Sequence, residues 1–425
     1  MAIISRGRRE EVSSMQVGAN GSRCALALLV ISFAFPMALG ADKPLPARQV
    51  QVIDSAANVR QGTLSDLKAG RLTLATSEPL RLATKDLVVM KFTDRTSLLA
   101  AEDPLVFLTG GDVLAMRPEK IDDESLLGRW AQNSHWPACK IPLETVRGVI
   151  LKPPGGAAAR ARLFKQLLEF DEPHDTVILR NGDLLDGEFS GLDDKTLELE
   201  TPLGKSAIER AGILAMIFNP TLTRREPPQG EGVLVSLIDG SRFRGTDVKL
   251  EAADQLSLKA GFDGRLALPL AAVESLRFLG GCATYLSDLT PLEYRFEPFF
   301  DVEWPLRRDR SVAGGFLKLR GVEYPKGLGV HSRSTVTYRL AGAYRRFRAT
   351  IGTDDSAAGR GSVVFEVLMD GKSAYKSDVL TGASPAVAIE RLDVTGAKTL
   401  TLRVDYATDG DILDHADWCD ALLIK

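Results

Sequence analysis

The chain has 425 residues, 44% of them hydrophobic, and a formal net charge of −3. This length suits two to four domains and is long for one. Because the charge is slightly negative and no Lys/Arg run follows the N-terminus, the composition argues against a nucleic-acid-binding protein.

The first 40 residues have the pattern of a signal peptide. Basic residues precede an apolar run from Cys24 to Leu39, and the small residues Ala38 and Gly40 favour cleavage before Ala41. The run has about 16 residues, fewer than the roughly 20 needed to span a bilayer. We therefore expect a secreted, periplasmic or cell-envelope protein that has no membrane span once residues 1–40 are removed.

Three cysteines remain after that cleavage, namely Cys139, Cys282 and Cys419. Their spacing contains no Cys-x-x-Cys pair and no Cys/His cluster, which argues against a zinc site. At most one disulfide could form within the chain, and three buried free thiols are the favoured prediction.

Four β repeats are predicted, at residues 41–98, 99–152, 175–222 and 223–281. The third repeat places Asn181-Gly182 five residues before Gly187, and the fourth repeats this spacing with Asp239-Gly240 and Gly245. The Asn-Gly and Asp-Gly pairs favour tight hairpins because their residues tolerate positive φ. Gly187 and Gly245 suit a bulge or a bend of the strand. In the second repeat Met116 takes the place of that glycine.

Five short strands per repeat can close into a small barrel, and the pattern weakly resembles Sm-like or SH3-like barrels. The repeats are expected to be structural modules that support the C-terminal region. Residues 153–174 form a linker whose Leu163, Phe164, Leu167 and Leu168 predict a short helix. A second linker is predicted at Arg224 to Gly232, rich in Pro, Gly and charge.

Residues 282–425 show longer alternating strands, which predict an antiparallel β-sandwich or jelly roll. The fold class is therefore mostly β, with tandem barrel-like repeats followed by a sandwich. A dense aromatic cluster opens this region, formed by Tyr294, Phe296, Phe299, Phe300 and Trp304.

Five blocks of this region stand in a characteristic order. They are Gly321 to Ser332, Gly352 to Asp355, the strand from Gly361 to Val367, Asp370-Gly371-Lys372 and Asp414 to Trp418. Together they resemble the NPCBM/NEW2 domain of the glycosyl hydrolase family 98 type, a β-sandwich found attached to glycoside hydrolases and named for carbohydrate binding. The resemblance implies a jelly roll of the galactose-binding-like type and a glycan as the partner of this domain.

A pyranose offers an apolar face and a rim of hydroxyls, so aromatic rings and paired polar groups at the loop end of a sandwich can hold it. The candidate sugar-binding residues are Tyr324, His331, Arg346, Asp354, Asp355, His415, Asp417 and Trp418.

These candidates have competing structural explanations. Trp418 suits the core as well as a platform, and His331 could simply hydrogen-bond backbone. Asp354 and Asp355 could cap a turn or bind a structural calcium ion, and the loop with Asp409, Asp411 and Asp414 has the same ambiguity. No cofactor is expected beyond that calcium ion, and no metal ligand is assigned.

Catalysis is not expected from this chain. It has no marked carboxylate pair for glycoside hydrolysis, no Gly-x-Ser-x-Gly elbow, no HExxH motif and no phosphate loop. The sequence therefore predicts a non-catalytic carbohydrate-binding protein. The alternatives are a structural or protein-interaction module of the cell envelope, with other envelope proteins as partners, and a hydrolase of unknown type.

Overall fold

The computed structural model describes residues 48–95, 102–132, 136–223, 230–252, 254–262, 264–298, 302–408 and 410–425. The predicted signal peptide, residues 224–229 of the second predicted linker, Phe299, Phe300 and Asp409 lie outside these ranges. Among the described residues, no helix is both long enough and apolar enough to cross a membrane.

The described strands before residue 280 fall into four groups of five, one within each predicted repeat. The first group is β1 (Gln49–Asp54), β2 (Val59–Lys68), β3 (Arg71–Ala75), β4 (Leu80–Ala83) and β5 (Leu87–Phe92). The second is β6 (Leu105–Leu108), β7 (Val113–Ile121), β8 (Ser125–Trp130), β9 (Cys139–Pro142) and β10 (Val146–Ile150). The third is β11 (Asp175–Leu179), β12 (Leu184–Leu192), β13 (Thr196–Thr201), β14 (Gly204–Glu209) and β15 (Ile213–Ile217). The fourth is β16 (Gly232–Leu237), β17 (Arg242–Glu251), β18 (Gln255–Ala260), β19 (Gly264–Pro269) and β20 (Val273–Leu279).

Each repeat is an antiparallel sheet in which the first four strands pair in succession and the fifth returns to pair with the first. A single 3-10 turn, at 84–86, 143–145, 210–212 or 270–272, precedes the fifth strand. The mostly β fold is therefore confirmed.

Glycines shape each repeat in two different ways. Gly182 and Gly240 have φ of 95° and 87°, as expected for tight hairpins. Gly187 instead gives room to the facing strand, because a Cβ there would lie 2.8 Å from Cγ of Leu199. The bulge that we predicted at this glycine lies later, where the register shifts between Phe189 and Gly191.

In the second repeat a glycine also faces a large side chain, but the two residues stand on the opposite strands. Met116 occupies the position of the missing glycine and is fully buried. On the facing strand Gly128 stands where the third repeat has Leu199, and a Cβ there would lie 3.3 Å from Cε of Met116. A small and a large residue thus face each other in both repeats, on opposite strands.

The repeats join in nested pairs through their fifth strands. β5 pairs antiparallel with β20, so the first repeat joins the fourth, and β10 pairs antiparallel with β15, so the second joins the third. This pairing covers the edge that each fifth strand would otherwise expose. A single pairing of β7 with β17 links the two pairs, and a single pairing of β7 with β12 adds to the contact between the second and third repeats. One hydrophobic core extends through all four repeats.

The predicted linker helix is confirmed as α1 (Ala157–Glu169). Its buried Leu163, Phe164 and Leu167 pack on the joined strands β10 and β15. Gly148 of β10 permits this approach, because a Cβ there would lie 2.8 Å from Cγ of Leu167. The helix therefore covers the outer face of the junction between the second and third repeats.

The remaining strands form the predicted sandwich. They are β21 (Ala283–Tyr285), β22 (Glu293–Phe296), β23 (Arg307–Arg308), β24 (Leu317–Leu319), β25 (Val322–Tyr324), β26 (Gly327–His331), β27 (Ser334–Arg339), β28 (Arg346–Thr353), β29 (Ser362–Met369), β30 (Lys372–Lys376), β31 (Leu380–Thr381), β32 (Val387–Asp393), β33 (Thr399–Tyr406) and β34 (His415–Ile424). One sheet has the order β23-β26-β34-β28-β32 with β21 beside β34, and the other has β22-β27-β33-β29-β30 with β31 beside β29. β24 and β25 form a separate hairpin.

The sandwich packs directly on the repeats. Leu422 and Ile424 of β34 form a buried cluster with Val88 of β5. Arg277 of β20 donates two hydrogen bonds of 3.0 Å to the carboxylate of Asp420. Apolar and ionic contacts therefore join the repeats to the sandwich.

Candidate functional site

Two histidines meet at one end of the first sheet of the sandwich. His331 ends β26, His415 begins β34, and the two residues are opposite each other in the antiparallel register. Their neighbours Val330 and Ala416 point into the core, so alternation places both imidazoles on the outer face of the sheet. Asp354 follows β28 at the same end.

A tryptophan from the segment before β23 covers these histidines. The ring of Trp304 stacks on His331 with a centroid distance of 4.8 Å and an interplanar angle of 7°, and it lies 5.6 Å from His415. Phe296 meets His331 edge-on at 6.1 Å. We name Phe296, Trp304, His331 and His415 the His–Trp cluster. Its Trp304 and Phe296 are half-buried and His331 is 3% exposed.

The imidazoles of this cluster are neutral at physiological pH. Burial, with the neighbouring His415, lowers the pKa of His331 to about 4. Burial also lowers the pKa of His415, whose Nδ1 lies 2.9 Å from the hydroxyl of Ser356. Both imidazoles are buried, with His415 6% exposed, so the accessible ring surface of the cluster belongs to half-buried Trp304 and Phe296.

Asp354 and Asp355 act as turn caps. Asp354 accepts hydrogen bonds from the backbone N–H groups of Ser356 and Lys318 at 2.9 Å, and Asp355 accepts them from Arg320 and Gly321. These carboxylates therefore hold the β24–β25 hairpin against the sheet. In the described part of the chain, which leaves out Asp409, no three His, Cys, Asp or Glu residues are grouped to hold a metal ion.

Tyr324 lies within the β24–β25 hairpin, and Asp417 lies beneath it on β34. Tyr324 is half-buried against Cys419, and burial raises the pKa of its phenol to about 12. Asp417 is fully buried, and burial beside Asp354 raises the pKa of its carboxyl group well above the ordinary value. The structure therefore keeps both residues apart from the His–Trp cluster, because the hairpin covers the outer face of β34.

Trp418 and Arg346 must be corrected as candidates. Trp418 has no exposed surface and packs between the two sheets, with its ring 5.0 Å from that of Phe365. Arg346 lies at the opposite end of β28, where it pairs with Ile424 and donates a hydrogen bond to the backbone carbonyl of Ala56. The first residue belongs to the core and the second to the contact with the repeats.

The sequence analysis did not select Trp304 as a site residue, although it noted the aromatic cluster that contains it. The signal was present, because five aromatic residues lie within eleven positions. What the sequence could not show is that this segment folds over the ends of β26 and β34, more than 25 and 100 positions away.

The three remaining cysteines are thiols in the structure. Cys139 and Cys419 are buried as expected, whereas Cys282 is only half-buried. Burial raises the pKa of Cys282 to about 11, so this thiol stays protonated at neutral pH.

Comparison with known proteins supports the assignment of this region. Residues 283–424 match the family model of the NPCBM/NEW2 domain. A protein of Renibacterium salmoninarum, named as a proposed endo-alpha-N-acetylgalactosaminidase, is 40% identical over 105 residues, which are 25% of this chain and 7% of that protein. The alpha-1,3-galactosidase B of Akkermansia muciniphila is 31% identical over 117 residues, which are 27% of this chain and 15% of that protein. The matches thus span a small part of each relative.

Solved structures of similar modules come from Clostridium perfringens. A CBM51 module of GH95 in complex with methyl-galactose is 29% identical, with a TM-score of 0.31, and the match covers 33% of this chain and 99% of that one. The CBM51-2 and INT domains of ZmpB in complex with GlcNAc are 28% identical, with a TM-score of 0.32, and the match covers 40% of this chain and 36% of that one. The family match confirms the resemblance read from the sequence, and residues 283–424 are an NPCBM/NEW2 domain.

Proposed function

We propose that the chain is an exported, non-catalytic carbohydrate-binding protein whose NPCBM/NEW2 domain holds a sugar at the His–Trp cluster. The observation that carries this proposal is the stacking of half-buried Trp304 on neutral His331 at the loop end of the sandwich. An indole face suits the C–H face of a pyranose, and the buried imidazoles beneath it hold the indole in place.

The names of two relatives support a proposal for the sugar class. Both are named for enzymes that act on galacto-configured sugars, an N-acetylgalactosaminidase and a galactosidase. We therefore infer that the domain binds galactose or N-acetylgalactosamine in a glycan of the cell surface or its surroundings. A small shallow site of this kind has a Kd in the millimolar to micromolar range, about −4 to −8 kcal/mol.

A second candidate is an envelope scaffold without a sugar ligand. It is favoured by the pairing of Arg277 with Asp420 and by the buried cluster around Leu422, which fix the sandwich to the repeats. In this case the repeats would be the functional surface, and the sandwich would be a structural cover.

Titration calorimetry of the exported chain with methyl-galactoside, N-acetylgalactosamine and glucose separates the two candidates. Binding of a galacto-configured sugar, weakened about tenfold or more by Trp304→Ala and less by Trp304→Phe, is the expected result. Tyr406→Ala removes another aromatic residue, 39% exposed, and should leave binding unchanged. Full binding by Trp304→Ala, or no binding of any sugar by the parent chain, would contradict the proposal.

A further inference from the structure

A basic cleft lies between the repeats and the sandwich. Its volume is about 1430 Å³, and residues from the second, third and fourth repeats, from α1 and from the sandwich line it. The lining contains ten basic and six acidic residues, so its formal charge is positive. The basic ones are Arg147, Lys165, Arg242, Arg244, Lys259, Arg307, Arg308, Arg310, Lys326 and Lys425.

Two of these arginines share one aromatic ring. The guanidinium carbons of Arg242 and Arg310 lie 3.8 and 4.8 Å from the ring centroid of Phe316. Phe316 is fixed in turn by Phe164 of α1, at a centroid distance of 5.0 Å. A strand of the fourth repeat and a loop of the sandwich thus bring two guanidinium groups together over a rigid base.

Neither guanidinium forms an ion pair within the described ranges, although Glu323 and Asp309 lie near enough to act on both electrostatically. Arg242 is 8% exposed and forms no ion pair there, and Nη1 of Arg310 is buried without a hydrogen-bond acceptor. Nε of Arg244 and Nε of Arg307 are also buried without an acceptor. Buried donors without an acceptor thus belong to three arginines of the cleft lining. Two of them, Arg244 and Arg307, form ion pairs with Asp288 and Glu169 through their other nitrogens.

The carboxylates near Arg242 and Arg310 already accept hydrogen bonds from other groups. Asp309 accepts hydrogen bonds from Nζ of Lys326 at 2.7 Å and from the backbone N–H of Gly327 at 3.0 Å. Asp112 accepts one from the backbone N–H of Arg244 at 3.2 Å. Glu323 lies 3.5 Å from Nζ of Lys318. Lys326, which is 1% exposed, thus has two ion-pair partners, Asp309 and Asp288, whereas Arg242 and Arg310 form no ion pair in the described structure.

A buried guanidinium without an ion-pair partner cannot become neutral by losing its proton, because arginine stays charged in proteins. Two such groups side by side repel each other and have lost their hydration. An oxyanion between them would satisfy their paired N–H donors and neutralise the charge, since the guanidinium fork matches a pair of oxygens of sulfate, phosphate or carboxylate.

We propose that this cleft is an oxyanion-binding site in which Arg242 and Arg310 hold a sulfate, phosphate or carboxylate group, assisted by Arg244 and Arg307. The site is separate from the His–Trp cluster and does not depend on the binding of a neutral sugar there. The oxyanion has two possible sources, a free inorganic ion and an acidic substituent of a glycan.

The test measures sulfate binding by the exported chain, using titration calorimetry and the thermal midpoint at constant ionic strength, with sodium chloride as the reference salt. We expect sulfate to raise the midpoint above chloride, and Arg310→Met and Arg242→Met each to weaken sulfate binding by about tenfold or more. Arg339→Met, at an exposed arginine of β27, is the matched control and should bind sulfate as the parent does. In chloride the Arg310→Met protein should be at least as stable as the parent, which shows that it folds.

The source of the anion is decided by comparing inorganic sulfate with galactose 6-sulfate and galactose. Tighter binding of the sulfated sugar, lost in Arg310→Met, identifies an acidic glycan. Equal binding of sulfate and sulfated sugar identifies a free ion. If sulfate acts equally on the parent, Arg310→Met and Arg339→Met proteins, its effect is a general salt effect and the proposal is wrong. Binding of galactose that depends on Trp304 is independent of each of these results.

Discussion

The two ends of β34 serve different purposes. At its start, His415 stands beside His331 and Trp304 on the outer face of the sheet. At its end, Leu422 and Ile424 also face outward, but they are buried against the repeats. One strand of ten residues therefore contributes both to the candidate sugar site and to the contact that holds the sandwich in place.

A bulge separates the two functions. Asp420 has a φ of 44°, and the register with β28 shifts by one residue between Arg348 and Thr350. Without the shift, alternation from Asp417 and Cys419 would turn Leu422 toward the core. The bulge thus lets the strand present polar and aromatic groups at one end and apolar groups at the other, and it places Asp420 opposite Arg277.

The largest effect is expected from Leu422→Asp at the docking end. Leu422 is 3% exposed, so an aspartate there would place an unpaired charge in an apolar contact. We expect a loss of about 4 kcal/mol or more, with separate unfolding of sandwich and repeats, since the charge favours undocking.

Denaturant unfolding followed by fluorescence and circular dichroism measures this effect. Leu292→Asp, at a position that is 54% exposed, is the control and should change stability by less than about 0.5 kcal/mol. One unchanged transition in Leu422→Asp would mean that the docking contact contributes little.

The next effect concerns pH at the His–Trp end. His331 has a pKa of about 4 in the folded protein, below the unfolded value of 6.5. Its contribution to stability is therefore fully present above pH 6.5 and decreases as the pH falls toward 4, because the unfolded chain binds the proton more tightly. The loss amounts to about 3 kcal/mol at most.

Thermal unfolding of the parent and of His331→Gln between about pH 7.5 and 4 measures this loss, since this pH interval covers the titration of the histidine. The variant should lose less stability on acidification than the parent. His174→Gln, at a half-exposed histidine, serves as the control. Identical pH profiles for the parent and His331→Gln would contradict the burial of a neutral imidazole.

The smallest effect is expected between the two ends, at Asp417. The pKa of its buried carboxyl group is raised, so the folded protein is favoured by protonation, and stability decreases as the pH rises from about 4 through the folded pKa. Asp417→Asn keeps the shape without the charge. We expect it to be more stable than the parent by about 1–3 kcal/mol near neutral pH and nearly equal at pH 4. A difference that does not vary with pH would show that the carboxyl group does not titrate in this range.

Local features of the fold could be predicted from the sequence. The Asn181-Gly182 and Asp239-Gly240 hairpins depend on the conformations that these residues allow, and α1 depends on the helical spacing of Leu163 to Leu168. The motif order of the last third was specific enough to identify the NPCBM/NEW2 domain.

The candidate site could be predicted only in part. His331 and His415 were selected as planar polar groups expected at the loop end of the sandwich, and the structure brings them together. Trp418 was selected for its ring but lies in the core, and Arg346 was selected for its charge but contacts the first repeat. In each case the residue type indicated a possible role. The sequence did not predict on which face, or at which end, of its strand the side chain lies.

The sequence by itself determined which segments form strands, where the hairpins turn and to which domain family the last third belongs, because these depend on neighbouring residues and on short motifs. Only the tertiary structure decided that the first repeat joins the fourth, that a bulge at Asp420 divides β34, and that Trp304 covers His331. Contacts between residues far apart in the chain depend on the packing of whole sheets, and a change of one residue in register moves a side chain from the core to the surface.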